Sequence, residues 1–119
     1  MKSPFIGKDY DFPRSHQIAL EYLSKFKGKI LELGCSDKPM KKYLMNVVTL
    51  DINPENKPDV VADAEDMKVV SDKSFDVVYS CHFLEHVYNP EKVLKECNRI
   101  LKPNGILFFI VPVVPLNRL

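Results

Sequence analysis

Five short apolar runs, separated by segments of helical or turn character, constrain the fold more than any other feature of this sequence. The runs are continuous rather than alternating, which is typical of strands buried on both faces of a parallel sheet. Helical periodicity lies between or before them, at residues 15–26, 39–45 and 89–101. This alternation predicts an α/β fold with a parallel sheet covered on both faces. The predicted strands are residues 29–33, 47–51, 59–63, 75–80 and 105–112.

The clearest helix is predicted at residues 89–101. Asn89 is a suitable N-cap, and Pro90 fits the first turn, where no backbone donor is needed. Residues 102–105, KPNG, are predicted to turn the chain into the fifth strand. A second helix, at residues 15–26, begins at Ser15, which can cap it. The apolar face of the helix at 89–101 consists of Val93, Leu94, Cys97, Ile100 and Leu101.

Length and composition predict one soluble domain. The chain has 119 residues, of which 45% are hydrophobic and 28% charged. No apolar run reaches membrane-spanning length, and the start, MKSPFIGKDYDF, lacks the apolar core of a signal peptide, so we expect a cytoplasmic location and no membrane contact. A net charge of +1 gives no global attraction to nucleic acid. A local lysine cluster is interpreted as a solvated helix end: Lys25, Lys27 and Lys29.

The carboxyl ends of the predicted strands carry the small and polar residues that a ligand site needs. In an open parallel sheet, ligands bind at these ends, around the point where strand order reverses. A glycine after the first strand allows close approach to the backbone, and a carboxylate after the second can accept hydrogen bonds from both ribose hydroxyls. The residues expected to converge on one cleft are Glu32, Gly34, Cys35, Ser36, Asp51, Asp63, Ala64, Glu65, Ser80, Cys81 and His82.

The expected ligand contains a nucleoside without phosphates. A dinucleotide site would carry G-x-G-x-x-G after the first strand, but the sequence GCSDKP supplies one of those three glycines. The chain also lacks the G-x-x-x-x-G-K-[ST] loop that holds nucleotide phosphates. Both absences disfavour NAD and ATP as ligands.

The pentapeptide HFLEH, residues 82–86, matches the H-x-x-E-H pattern of inverted zinc peptidases. Such a site needs a third protein ligand well downstream, and the only carboxylates after His86 are Glu91 and Glu96 in the predicted helix. We therefore expect no metal site. His86 is interpreted as a structural residue at the start of a helix, whereas His82 lies nearer the strand end. The three cysteines, Cys35, Cys81 and Cys97, are far apart and suggest neither a zinc knuckle nor a disulfide framework.

Several segments together resemble class I S-adenosylmethionine-dependent methyltransferases, of the compact type found in ubiquinone and menaquinone biosynthesis. The resemblance covers residues 28–112 and implies a three-layer Rossmann-like sheet. In similar proteins a Leu-Glu-His triplet commonly follows the fourth strand, so the resemblance explains HFLEH without a metal site. The segments that carry the resemblance are ILELGCSDKP, VVTLDIN, VVADAEDM, SFDVVYSCHFLEHV and VLKECNRILKPNGILFFIVP.

The resemblance implies a role for each residue that matches a family motif. Glu32 would lie under the amino-acid end of S-adenosylmethionine, and Asp51 would bind the ribose hydroxyls. Ile52 would pack on the adenine ring, while Asp63 and the Ala64 amide would form hydrogen bonds with the edge of that ring. Alternatively, Asp51 and Asp63 only cap the turns that follow them. The full expected cofactor set is Glu32, Gly34, Cys35, Ser36, Asp51, Ile52, Asp63, Ala64, Glu65 and Cys81.

The expected reaction is methyl transfer to a small-molecule acceptor. If the acceptor must lose a proton, His82 is the first candidate for general base. Tyr10 and His16 are expected to contact the acceptor, because the N-terminal segment often covers such sites in similar proteins. The chain is accordingly divided into one domain, residues 1–119, with a helical lid segment at 1–27 and a cofactor-binding core at 28–112.

The sequence also departs from the family. Ser36 and Lys38 stand where the family often has glycines, and the antiparallel strand pair that ordinarily follows the fifth strand is absent from the sequence. A second function is therefore kept open: a degenerate cofactor-binding module that works through a partner chain. The fifth strand, GILFFIVP, would then lie at a bare apolar edge, which predicts a homodimer or a partner chain at that edge.

Overall fold

The computed structural model describes residues 14–112, and the predicted strands and the two longer predicted helices are found there in the predicted order. Three short 3₁₀ helices lie in the connections, at Met40–Lys42, Pro54–Asn56 and Leu84–His86. The main elements are α1 (Arg14–Leu23), β1 (Ile30–Leu33), β2 (Val47–Asp51), β3 (Val60–Val61), β4 (Phe75–Cys81), α2 (Pro90–Ile100) and β5 (Leu101–Ile110).

The five strands form one parallel sheet in the order β3-β2-β1-β4-β5. β1 is central, and Ile30 pairs with Val47 of β2 on one side and with Val77 of β4 on the other. The chain moves outward from β1 through β2 to β3 and then crosses to β4. The strand order therefore reverses at β1, which places the expected ligand site at its carboxyl end.

One helix covers each face of the sheet, so the predicted three-layer α/β fold is confirmed. α2 buries Val93, Cys97 and Ile100 against one face, and α1 buries Ala19, Leu20 and Leu23 against the other. Both faces of β1 are covered, and all four of its residues are buried. The continuous apolar runs reflect this double coverage.

Three connections differ from the sequence expectation. The helix predicted at 39–45 is a single 3₁₀ turn, Met40–Lys42, which follows an extended Pro39 that provides no side-chain cap. The third strand is shorter than predicted, because its pairing with β2 spans Val60–Val61. Asp59, just before it, accepts hydrogen bonds from the amide and hydroxyl of Thr49. The predicted turn at 102–105 is an irregularity within β5, where pairing shifts from Phe75↔Leu101 to Val77↔Ile106.

No helix within residues 14–112 combines the length and the apolar character needed to cross a membrane.

Candidate functional site

Two clefts open at the carboxyl ends of the strands, and Gly34 borders both. The first has a volume of about 240 Å³ and the second about 220 Å³. Together they reach the range typical of small-molecule sites, roughly 300–1,000 Å³. Predicted residues that border the first cleft are Glu32, Gly34, Cys35, Ser36, Cys81 and His82. Predicted residues that border the second are Gly34, Asp51, Ile52, Asp63, Ala64 and Glu65.

Gly34 joins the two clefts because it follows β1 with a left-handed backbone, φ +65°. Its amide donates to the Leu50 carbonyl (2.8 Å), which continues the pairing of β1 with β2. A Cβ atom added at Gly34 would collide with the ring of Phe83, which packs against this glycine. A side chain here would thus be strained and would also displace the Phe83 ring.

Glu32 lies at the floor of the first cleft and is only 3% exposed. One carboxyl oxygen, Oε1, accepts a hydrogen bond from the Met40 amide (2.8 Å), and the other lies 3.8 Å from His16 Nε2. Burial raises the pKa of Glu32 to about 8, although the Met40 amide and the Lys41 charge oppose the shift. A cationic ligand group beside this carboxyl would lower its pKa again and favour the ionised form.

His16 closes the same cleft from α1. Its Nδ1 lies 2.6 Å from the Tyr79 hydroxyl, and its Nε2 lies 3.3 Å from the Lys38 carbonyl oxygen. A carbonyl only accepts, so Nε2 carries the hydrogen and Tyr79 donates to Nδ1. Burial lowers the pKa of His16, which agrees with a neutral imidazole. Tyr10, the other residue expected near the acceptor, lies outside the described residues.

Asp51 ends β2 and is 8% exposed at the edge of the second cleft. Its Oδ2 accepts hydrogen bonds from the Ser36 amide (3.1 Å) and Asn56 Nδ2 (3.2 Å), and its Oδ1 accepts from the Asn53 amide (2.9 Å). The carboxylate thereby links the loop after β1 to the loop after β2. Asp51 does cap the following turn, and it borders the cleft as well.

Asp63 shows the same combination. Its Oδ1 accepts a hydrogen bond from the Glu65 amide (2.9 Å), so it also caps a turn while bordering the second cleft. Ile52 borders that cleft with a side chain that is 67% exposed, and Ala64 is buried beside it. The polar edge at Asp63 and the uncovered apolar side chain of Ile52 together suit a flat ligand ring that carries hydrogen-bonding groups on its rim.

His82 follows β4 in a left-handed conformation, φ +54°, which is costly for a residue with a side chain. Its amide donates to the Ile110 carbonyl (2.8 Å), so β5 fixes the backbone at this point. The imidazole Nδ1 lies 3.8 Å from Glu85 Oε2. Strained backbone of this kind concentrates at functional sites, which agrees with a functional hypothesis for His82.

The HFLEH segment is not an α-helix. Leu84–His86 form one 3₁₀ turn, and His82 lies outside it, so the two histidines do not share the helical face of a zinc peptidase. The exposed His86 side chain lies 3.8 Å from Glu85 Oε2, and its amide donates to the Phe83 carbonyl. Within residues 14–112, no group of three His, Cys, Asp or Glu side chains has an arrangement that could hold a metal ion.

The sequence interpretation missed several residues at the clefts. Lys38 borders the first cleft, and Phe83, His86, Val87 and Tyr88 border the second. Phe83 and its neighbours follow β4, so their position after a strand end was the available signal. That signal does not say which side chain turns toward the cleft, because the loop between β4 and α2 has no regular period.

Comparison with known proteins identifies similar sequences. The family model described as "Methyltransferase domain" matches residues 31–109. The human thiol S-methyltransferase TMT1B is 37% identical over 102 residues, which cover 70% of this chain and 42% of that protein. A ubiquinone biosynthesis O-methyltransferase from Photobacterium profundum is 30% identical over 135 residues, covering 92% of this chain and 57% of that protein. The chain therefore spans about half the length of these curated relatives.

Solved structures have the same fold. A Bacillus halodurans protein described as a candidate methyltransferase superposes with a TM-score of 0.72 at 21% identity, over 85% of this chain and 52% of that one. The trans-methyltransferase CalH, solved as a complex with S-adenosylhomocysteine, superposes with a TM-score of 0.58 at 20% identity, over 69% of this chain and 31% of that one. At these identities the likeness concerns the fold.

Proposed function

This chain belongs to the methyltransferase family, of the class I S-adenosylmethionine-dependent type, and we propose that it transfers the methyl group of that cofactor to a small molecule. The observation that carries the proposal is the arrangement of the two clefts. Side chains suited to opposite ends of the cofactor border clefts that meet at Gly34, at the carboxyl end of the central strand.

The residues at the clefts fit S-adenosylmethionine. In the first cleft, the Glu32 carboxyl offers a partner for the ammonium of the amino-acid end. In the second, Asp51 suits the ribose hydroxyls, and Ile52 with Asp63 suits the adenine ring. Gly34, which has no side chain, lets the Phe83 ring pack directly against the backbone where the two clefts meet. When bound, the cofactor supplies a methyl group already activated by a positively charged sulfur.

The protein's own contribution to such a reaction is positioning and the exclusion of water. Glu32 and Asp51 would hold the two ends, and α1 would cover the first cleft through His16. His82 borders the first cleft, so it is the proposed general base for an acceptor that must lose a proton. Its Nδ1 faces Glu85, which leaves Nε2 to take that proton.

The relatives suggest the acceptor class. One is named as a thiol S-methyltransferase and another as an O-methyltransferase of ubiquinone biosynthesis. Both names describe transfer to a protic sulfur or oxygen nucleophile. We therefore propose a thiol or a hydroxyl as the acceptor group. The comparisons do not favour the alternative of a degenerate module without activity, which is based on the departures at Ser36 and Lys38 and on the absent strand pair.

A partner at the edge of the sheet also stays a proposal. In the described residues β5 pairs with β4 on one side only, and Leu107 on this strand is 43% exposed. A strand from a second copy or from another chain would satisfy this edge. The location in the cytoplasm, expected from the sequence, likewise stays a proposal.

Calorimetric titration with S-adenosylhomocysteine tests the proposed function. The wild-type chain is expected to bind, and Asp51→Asn should weaken binding by about 10- to 100-fold, because hydrogen bonds to a charged group are worth about 1.5–3 kcal/mol. Asn keeps the shape of the side chain, so much of the loop packing around Asp51 is preserved.

Asp66→Asn is the matched control. Asp66 is an exposed aspartate on the loop after β3 that does not border either cleft, so its replacement should leave affinity unchanged. Thermal unfolding of each variant reports whether the fold is retained. A wild-type titration with neither heat nor a thermal shift would overturn the proposal.

A further inference from the structure

Tyr88 has an aromatic side chain that no residue within 14–112 covers. It is fully exposed, yet it borders the second cleft together with Ile52, Asp63 and Ala64. Single exposed apolar residues are ordinary on protein surfaces. Tyr88 differs because a second observation, the anchoring of its backbone, ties it to the cleft.

The backbone of Tyr88 is held in place by the loop that follows β3. Its amide donates a hydrogen bond to Glu65 Oε2 (3.0 Å), and the Glu65 amide in turn donates to Asp63 Oδ1 (2.9 Å). The loop after β4 is thereby connected to the loop after β3, with the second cleft beside the connection. The ring can change rotamer while its attachment point stays fixed.

The position of Tyr88 complements that of Ile52. Ile52 follows β2 and Tyr88 lies in the connection from β4 to α2, so the loops that carry them leave strands on opposite sides of β1. Both side chains are largely uncovered. A flat aromatic ligand between them would bury apolar surface on both of its faces, and an aromatic ring gains most from such contact.

We propose that Tyr88 closes over the purine base of the cofactor and that Glu65 positions Tyr88 for this contact. The inference rests on the proposed function, since it requires the adenine ring to occupy the second cleft. Tyr88 supplies one wall by stacking, Ile52 supplies the other, and the polar edge formed by Asp63 stays available to the rim of the base.

A single fluorophore tests the contact directly. The chain has no tryptophan, so the emission of Tyr88→Trp reports on this site alone. We expect quenching by S-adenosylhomocysteine and by adenosine, which both carry the base, and no response to homocysteine, which lacks it. Tyr22→Trp, at a partly exposed position on α1 outside both clefts, should respond to none of the three.

Affinity provides the second measurement. Tyr88→Ala should weaken binding of S-adenosylhomocysteine by roughly 5- to 100-fold, the range of base stacking on an aromatic side chain, and Tyr88→Phe should bind as the wild type does. Glu65→Ala should weaken binding by a smaller factor, and Glu65→Gln should restore it because its amide oxygen still accepts from the Tyr88 amide. The exposed position makes Tyr88→Ala neutral for folding, which thermal unfolding checks.

The outcomes separate this proposal from the proposed function. Absence of wild-type binding overturns both. Wild-type binding with equal affinity for Tyr88→Ala, or unchanged emission of Tyr88→Trp at saturation, overturns only the role of Tyr88. Quenching by the two base-containing probes together with weaker binding of Tyr88→Ala supports it.

Discussion

At the scale of a residue, Glu32 links the candidate site to stability. Its pKa in the folded protein is raised to about 8 by burial, whereas an unfolded chain ionises it near its ordinary value. The folded state thus holds a proton that the unfolded state has lost. This contribution to stability is fully present below the unfolded pKa and disappears as the pH rises through about 8.

We predict that the free energy of unfolding of the wild type falls between pH 6.5 and 8.5, by on the order of 1 kcal/mol per pH unit. Glu32→Gln should remove this fall because it is neutral at every pH and keeps an acceptor for the Met40 amide. Urea unfolding at several pH values measures the free energy of unfolding of the wild type and of Glu32→Gln. The window avoids the opposing effect of His16, whose lowered pKa makes stability rise with pH only below its ordinary value.

Glu91→Gln is the control for this prediction, since it removes an exposed carboxylate from α2 and should leave the slope unchanged. Parallel pH profiles for the wild type and Glu32→Gln would contradict the assignment of a protonated Glu32 in the folded protein.

At the scale of an element, α2 begins as its sequence predicts, whereas Leu94 of the predicted apolar face is exposed and Leu101 belongs to β5. Asn89 has the extended backbone of an N-cap, and its Oδ1 accepts from the Lys92 amide (3.3 Å), while Pro90 begins the helix. Arg99, near the other end, donates to the Val70 and Met67 carbonyls and so attaches the helix to the loop before β4. The helix is therefore defined locally at its start and by tertiary contacts near its end.

We predict that Asn89→Ala lowers the free energy of unfolding by about 1 kcal/mol, within the range of roughly 0.5–2 kcal/mol for lost N-caps. Asn98→Ala, at an exposed position within the same helix, should leave stability unchanged or slightly higher because alanine is the better helix former. Chemical denaturation measures the free energy of unfolding of both variants. Equal decreases for the two variants would mean that the cap hydrogen bond does not stabilise the helix.

At the scale of the whole molecule, the feature with the clearest consequence is the outer edge of β5, which pairs with no strand in the described part of the chain. Phe109 on this strand packs against the core shared with α2, while Leu107 on the same strand and Val111 just after it are exposed. Residues 106–110 of this edge strand are apolar and uncharged, which favours pairing with another strand. We predict that the chain of 119 residues forms a dimer at micromolar concentration.

Light scattering after size exclusion should give twice the monomer mass, and Leu107→Lys should shift the protein toward monomer. Val61→Lys places the same charge at an exposed position of β3, the opposite edge of the sheet, and should leave the dimer intact. A soluble wild-type monomer would count against the edge contact, as would dissociation of Val61→Lys.

Much of this fold was predictable because its signals are local. Continuous apolar runs predict buried parallel strands, Asn89 and Pro90 predict where a helix begins, and residues that follow strand ends in a parallel sheet meet at one edge. All of the residues predicted to converge on the cleft, except Ser80, border one of the two clefts for this reason. Ser80 is instead fully buried within β4. The individual roles of the cleft residues toward the cofactor stay predictions.

Tertiary structure decided what the residues at that edge contact. Tyr79 holds the His16 imidazole 63 residues away, Phe83 packs against Gly34, and Glu65 anchors the Tyr88 amide 23 residues away. These pairs have no fixed spacing along the chain, so no periodic pattern encodes them. The sequence alone determined which residues reach the carboxyl edge of the sheet, because chain direction and strand period are local properties. The contacts between loops depended on the packing of α1 and α2 on opposite faces, which brings together segments that are distant in sequence.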